Sequence, residues 1–313
     1  MENIKFKDYE IIGIDHGFGN IKTRNTTFRA GITVSDAEND IAPDVVKYKD
    51  KYLIIGENHK SFESDKVIND DYYYLTMAAL AKEMRIRKIR SAKLVLAVGL
   101  PLMWAQEQRE VFRNYLMREK ELEFEYKGIS YSVTIERVLV FTQGYVAIME
   151  RIGELDGIYY VADIGNGTIN VMYINDHRIN SSRCFTDQLG VRKCIESMQN
   201  EIANRMQKDI PYDICEEYLI KGTTTLPERI QTIMDETACK YVSSIIGKLK
   251  EHGYDSDYMK LICMGGGSGI VKRYLRLPDT DVEYMDDIRA TAKGYEQFAL
   301  TVLRKEMKRN GKG

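Results

Sequence analysis

The sequence is sparing with the residues that staple or interrupt a fold, holding 5 cysteines and 5 prolines in 313 residues. Cys184, Cys194, Cys215, Cys239 and Cys263 are odd in number and show none of the close pairing that a zinc site or a redox motif requires. They are expected as reduced thiols in a core. Long apolar runs are missing as well: no stretch approaches the roughly 20 residues that cross a bilayer, and the opening MENIKFKDYE mixes charges where a secretion signal would be apolar. Neither end of the chain offers an amphipathic helix with large apolar residues on one face, the usual means of lying on a membrane. An excess of either charge is absent, since 45 Lys and Arg stand against 47 Asp and Glu for a formal net charge of -2. Nothing global draws the molecule to nucleic acid or to a lipid surface. The expectation is a cytoplasmic protein with no membrane attachment and no direct DNA binding.

What is present belongs to an ordinary globular protein, 44% hydrophobic and 29% charged. The length predicts two domains, and so a cleft between them. Four short apolar runs read as buried strands: Ile11-Ile12-Gly13-Ile14, Leu94 to Val98, Tyr159 to Ala162 and Leu261 to Met264. Helical patterns lie between and after them, over Tyr72 to Arg90, Ala105 to Arg118, Gly144 to Ile152, Val191 to Met206, Pro227 to His252 and Ala290 to Lys308. The class is α/β. Short strand-like pieces around Val45 to Tyr48 and Tyr52 to Ile55 mark Phe28 to Val67 as a small insertion, and the helical stretch from Phe185 to about Tyr258 reads as a second.

One device occurs twice. In IIGIDHGFGNIKT and in YYVADIGNGTINVMYI an apolar strand ends in Asp, a glycine turn follows, and a second β-rich segment resumes. Each reads as a hairpin with glycines at its tip. Glycine allows successive backbone N–H groups to converge into a concave anion site. Asp15 and Asp163 then stand where a hydrated magnesium would need carboxylate oxygens, and Lys22, on the same side of its strand as Asn20, can offer a cation to bridging phosphate oxygens. Either hairpin alone is as readily an ordinary turn, but a matched acidic pair suits a phosphate clamp. A third element, Leu261 to Gly269, runs a strand into Gly265-Gly266-Gly267-Ser268 before a helix, which permits close approach of a flat ring or a phosphate.

These motifs, in this order, resemble the actin, sugar kinase and heat-shock chaperone superfamily. DHGFGNIKT is similar to its first phosphate motif, VFTQGYVAIM to its first connecting helix, ADIGNGTIN to its second phosphate motif, MGGGSG to its adenosine motif and DDIRATAKGYEQFAL to its second connecting helix. Within it the chain looks most like ParM-type bacterial actins, which segregate plasmids, through the form of the first motif, the segment LAVGLPLMWAQEQREVFRNYL and the compact length. The resemblance implies an actin-like ATPase fold of two duplicated α/β domains with a nucleotide cleft between them. A first domain would span 1–150, with an insertion about 28–70 and a C-terminal helix about 295–313 packing back on it; a second would span 151–294, with an insertion about 185–258. It implies ATP or ADP with Mg2+ as ligands. Asp15 and Asp163 would organise magnesium through water and, with Gln143, the attacking water. Gly17, Phe18, Gly19, Asn20, Lys22, Gly165, Asn166, Gly167 and Thr168 would hold the phosphates, and Gly265, Gly266, Gly267 and Ser268 would face the adenosine. Gln143 opens the first connecting helix, where a glutamine orients water without being a strong base, so hydrolysis is expected to be slow. Asn170 departs from the pattern, standing where many relatives carry an acidic residue or a histidine.

The partners implied are further copies of the chain, joined head to tail, and a DNA-binding adaptor on a centromere-like plasmid site. Rival functions on the same fold are a small-molecule kinase, whose short members often carry a Cys and His zinc cluster missing here, a chaperone, which would need a peptide-binding domain after the ATPase, and a cell-shape or division actin. Three minor features have plainer readings. The basic stretch Lys82 to Lys93 is expected as a solvated helix face, Tyr72-Tyr73-Tyr74 as packing, and His16, inside the first turn with no partner ligand near it, as tolerated filler.

Overall fold

The structure, a computed structural model, describes residues 3–38, 41–56, 66–149, 151–276 and 282–310. Parts of the expected first insertion, the expected boundary at 150 and the last residues of the basic C-terminus lie outside the described residues. The chain divides into two compact units, Met1–Glu150 with Arg289–Gly313, and Arg151–Ile288.

The first unit is built on a 10-stranded sheet. Its strands in chain order are β1 (Lys5–Phe6), β2 (Tyr9–His16), β3 (Asn20–Lys22), β4 (Thr27–Arg29), β5 (Ile32–Ser35), β6 (Val45–Tyr48), β7 (Lys51–Ile55), β8 (Ser91–Leu100), β9 (Glu121–Tyr126) and β10 (Ile129–Thr142). They lie in the order β4-β3-β2-β8-β10-β9-β6-β7-β5, with β1 beside β2. The three central strands β2, β8 and β10 are parallel, with Ile11 opposite Val95 and Val138 opposite Leu96. Helices α1 (Asp71–Arg87), α2 (Leu102–Leu116) and α3 (Tyr145–Met149) belong to this unit. Alternation along β2 explains why its apolar run is unbroken. Ile12 and Ile14 join the core with Leu75, Leu80 and Phe112 of α1 and α2, while Ile11 faces a separate cluster on the other side. With both faces covered, no position is left for a polar residue. Tyr72, Tyr73 and Tyr74 are buried at the start of α1, as expected.

The second unit has a 6-stranded sheet in the order β13-β12-β11-β15-β16, with β14 beside β12. The strands are β11 (Ile158–Ile164), β12 (Ile169–Asn175), β13 (Arg178–Ile179), β14 (Phe185–Asp187), β15 (Lys260–Met264) and β16 (Val282–Tyr284), and the helices α4 (Val191–Met206), α5 (Tyr212–Lys221), α6 (Glu228–Glu251) and α7 (Ser268–Tyr274). In α6 the buried side chains Ile230, Ile233, Met234, Thr237, Ala238, Tyr241, Val242, Ile245, Ile246 and Leu249 follow steps of three and one, which places them on one stripe of a 3.6-residue helix. That stripe shares one core with Cys194, Ile195 and Met198 of α4 and Tyr160 and Ala162 of β11. The last helix, α8 (Ala290–Asn310), belongs to the first unit, where Tyr295, Ala299 and Leu303 cover Ile11, Val95 and Ala97. Its approach is close because β2 and β8 offer glycine: a Cβ on Gly13 would stand 2.1 Å from the Ala292 carbonyl oxygen, and one on Gly99 1.8 Å from the Tyr295 hydroxyl.

The basic stretch after Lys82 is a correction to the sequence reading. Arg85 and Lys88 are exposed, but Arg87 is buried and Lys82 is half-buried in a pair with Asp44. Arg87 donates to Glu83 at 2.8 Å, Glu296 at 2.6 Å, Glu10 at 3.3 Å and the Ile11 carbonyl at 3.0 Å. Glu296 also accepts from Arg24 and from the Gly13 amide, and Glu83 from Thr23 and Asn25. A periodic reading misses such a network because each member looks like a surface residue until its partner, from a distant segment, is folded against it. All five cysteines are free, with Cys194, Cys215 and Cys263 buried.

Candidate functional site

The first acidic turn joins β2 to β3, which pair antiparallel with Asp15 opposite Lys22. Asp15 is nearly sealed, at 3% exposure. Its Oδ1 accepts from Gln143 Nε2 at 2.6 Å and its Oδ2 from Lys22 Nζ at 3.3 Å. Gln143 reaches it because the chain leaves β10 there: the Gln143 amide donates to the Leu100 carbonyl at 2.8 Å, and Gly144, at φ 77°, turns into α3. One hairpin and a residue 128 positions further along the chain thus bring Asp15, Lys22 and Gln143 together. Gly17 leaves no room for a side chain, since a Cβ would sit 2.5 Å from the Asn20 carbonyl oxygen, and the Gly19 carbonyl accepts from the Ala30 amide at 3.0 Å. The ring of Phe18 meets that of Trp104 edge-on at 6.2 Å.

His16 is not filler, correcting that expectation. Its ring is buried, with edge contacts to Tyr72 and Phe112, and its Nε2 lies 2.8 Å from Thr76 Oγ1. Because Thr76 donates its own proton to the Tyr72 carbonyl at 2.7 Å, it accepts from His16 Nε2–H. Burial first, and then the nearby Lys66 charge, hold the imidazole well below its ordinary value, so it is neutral. Lys66 was not singled out by sequence reasoning; its ammonium is buried against the His16 carbonyl at 2.6 Å.

The second acidic turn joins β11 to β12, with Asp163 opposite Asn170. The Gly165 amide closes it on the Thr168 carbonyl at 2.8 Å. The start of α4 braces it from outside, as the Val191 and Arg192 amides donate to the Gly165 and Asn166 carbonyls at 3.0 and 2.9 Å. Gly190, missed in the sequence, is needed there: a Cβ would fall 2.2 Å from the Asn166 oxygen. The Asn166 side chain is turned to Tyr212 of α5, donating at 3.2 Å, and Asn170 accepts from Thr186 at 2.9 Å. Thr168 is buried and Gly167 partly so.

The glycine run after β15 adjoins this turn because β11 and β15 are parallel neighbours, Asp163 opposite Met264. Gly265, at φ 83°, packs on the aspartate, where a Cβ would be 2.5 Å from Asp163 Oδ1. Gly267 donates its amide to the Ile164 carbonyl at 2.9 Å and has no space for a Cβ beside the Ile164 side chain. Ser268 turns its hydroxyl to the Gly265 carbonyl at 2.9 Å and is buried. Gly267 and Ser268 therefore shape the turn instead of presenting side chains outward, while Gly266 is exposed, with open space for 4 Å around the place a Cβ would take.

Carboxylate oxygens such as those of Asp15 and Asp163 suit a hard cation carried by phosphate. Among the described residues no group of three or more His, Cys, Asp or Glu could hold a metal ion, so Asp15 and Asp163 offer single carboxylates and not a complete cage. No described helix is long and apolar enough to cross a membrane.

The comparisons agree with this architecture. Residues 13–145 match the model of the actin-like proteins N-terminal domain, and residues 161–276 that of the archaeal actin homologue MreB-like C-terminal domain. The chain has the actin-like fold, one family-defined half in each unit. Within that class it is similar to an archaeal actin homologue, at 20% identity and TM-score 0.73, over 92% of this chain and 98% of that one. A ParM from Clostridium botulinum, solved as a 15-stranded filament, is similar at 19% identity and TM-score 0.73, over 93% and 99%. Apo psk41 ParM follows at 15% identity and TM-score 0.70, over 96% and 99%. The archaeal homologue has also been solved in complex with ADP. No curated protein sequence matches the chain.

Proposed function

We propose that the chain binds ATP with Mg2+ through its two acidic turns, hydrolyses it, and uses the cycle to build and dismantle filaments of itself in the cytoplasm. The observation that carries this reading is the repeated construction: Asp15 and Asp163 are each the next-to-last residue of a buried strand, and each strand runs through a glycine turn into an antiparallel partner. Asp15 and Asp163 would engage the nucleotide's metal through water, the turns Gly17 to Asn20 and Gly165 to Thr168 the phosphates, and Lys22 the bridging oxygens. Gln143, tied to Asp15, would orient the attacking water. Gly265 and Gly266 would admit the adenosine, with Gly267 and Ser268 fixing their path.

The filament reading rests on the similarity to filament-forming actin homologues, one of which was solved as a filament. Heterologous contacts that repeat without closing into a ring make an open filament, and loss of the γ-phosphate would weaken them. Segregation of plasmid DNA through a DNA-binding adaptor is the finer form of this proposal. The test is light scattering beside phosphate release: scattering should rise on adding ATP and Mg2+ and fall as phosphate accumulates. Absence of ATP-dependent assembly at any protein concentration tried, with substrate-dependent ADP release instead, would favour a kinase.

A further inference from the structure

Lys66 is the most confined lysine among the described residues of the first unit, at 1% exposure. Its Nζ donates to the His16 carbonyl at 2.6 Å and stands over three aromatic rings, 5.5 Å from the centroid of Phe18, 5.6 Å from Tyr72 and 6.0 Å from Phe112. Burial outweighs the favourable charge of Asp15 and pulls the ammonium down to about 8. A cation held this way is costly, and rings recover only part of the lost hydration. A methionine would fill the same space at no such cost, so stability of the unit does not account for a lysine here.

The placement does. Lys66 grips the turn at two residues, the carbonyl of His16 and the ring of Phe18, which flank Gly17. Gly17 is the one position between them that has wide conformational freedom. A trans peptide is planar, so fixing the His16 oxygen also fixes the plane of the Gly17 amide. The charge adds a second effect, since it lies beside Asp15 and offsets a carboxylate that would repel phosphate. We propose that Lys66 is a positioning residue for anion binding, holding the first turn in the conformation that receives the phosphates of a nucleotide and supplying it with positive potential from beneath. This rests on the nucleotide reading of the turn.

The experiment uses the full chain and its single tryptophan, Trp104, which touches Phe18 and reports on the turn. ADP with Mg2+ is titrated against wild type and Lys66→Met, following Trp104 emission and, separately, equilibrium binding; melting without nucleotide is recorded for both. Loss of a charge-assisted contact predicts a dissociation constant raised about tenfold to a hundredfold, a shifted Trp104 emission in the nucleotide-free variant, and a melting temperature equal to or above wild type. Equal affinity in the two proteins would overturn the assignment. So would a variant that melts well below wild type, since Lys66 would then be a structural strut. If wild type itself binds neither ADP nor ATP, the nucleotide reading fails and this inference fails with it; wild-type binding with an unaffected variant sinks the inference alone.

Discussion

Replacing Arg87 by methionine tests the buried charge network most directly. Arg87 has no exposed side-chain surface, and neither have Glu83 and Glu296, two of its carboxylate partners. Methionine keeps much of the volume but removes four donated hydrogen bonds, to Glu83, Glu296, Glu10 and the Ile11 carbonyl. Each carboxylate retains another partner: Glu296 keeps Arg24 and the Gly13 amide, Glu83 keeps Thr23 and Asn25, and Glu10 keeps Lys5. What is lost is the charge that compensates them. Removing one partner of a buried pair costs about 3–5 kcal/mol, and a unit of this size shifts by about 2–4 °C per kcal/mol, so melting should fall by roughly 6–20 °C. Burial already pushes the Glu296 carboxyl above its ordinary value, with Arg87 as the largest opposing influence, so the variant raises it further. An acid whose folded value is raised above the unfolded one adds stability as pH falls through it. The gap between wild type and variant should therefore narrow on acidification from pH 7 toward the ordinary glutamate value of 4.5. Calorimetric melts across that range are the assay. A loss at pH 7 of less than about 2 °C, or a gap that widens on acidification, would refute the view that Arg87 neutralises this cluster.

Asp163→Ala should abolish phosphate release while leaving measurable nucleotide binding; normal turnover in the variant would remove the second turn from the reaction. Gly294→Ala places a Cβ 2.7 Å from the Val146 carbonyl oxygen, where α8 crosses α3, and should cost about 1–3 kcal/mol in a denaturant titration. Gly247→Ala, with open space on an exposed face of α6, should instead add about 0.5–1 kcal/mol. Lys66 gives a pH signature: between about 8 and the ordinary lysine value of 10.5 the unfolded chain holds a proton that the folded chain has shed, so wild-type stability rises across that window. The advantage of Lys66→Met should be largest below pH 8 and shrink above it. His16 and Tyr72 adjoin that ammonium and the Asp15 charge acts on it, and a flat difference between the two melting curves would show that it carries no buried charge.

Strands were the legible part of this fold, because a run such as Ile11 to Ile14 has no polar position and its end is marked by Asp and glycine. Their observed counterparts are β2, β8, β11 and β15, and both acidic turns are hairpins. The β9–β10 hairpin was legible too, in the strict alternation of Glu121 to Tyr126, buried at every second residue, but was not among the expected elements. Helix α5 also went unexpected within the helical stretch after Phe185. Charge was misread where it is buried. Nothing local separates Arg87 from Arg85, two residues earlier on the same helix, yet one is sealed against Glu296 and the other faces water. Lys66 follows a polar segment with no periodicity, so its burial depends on rings from α1 and α2 that the sequence does not place beside it.

The two acidic turns share a pattern and differ in what holds them, and the difference bears on how each would meet a ligand. The second turn is framed by backbone and packing: α4 amides on its carbonyls, Gly190 against its tip, Gly265 against Asp163. The first is held through side chains, with Lys22 on one oxygen of Asp15, the neutral Gln143 amide on the other and Lys66 on the His16 carbonyl. Lys22 cannot serve a phosphate at full strength while it serves Asp15, because both draw on one ammonium. An anion bound alone would have to break that pair and leave Asp15, nearly sealed, with the Lys66 charge as its remaining compensation. A phosphate that brings its own divalent cation leaves Asp15 compensated and Lys22 free to turn. On this reasoning ADP should bind the full chain more tightly with Mg2+ than without it, and equal affinity under the two conditions would refute this role for the pair of Asp15 and Lys22.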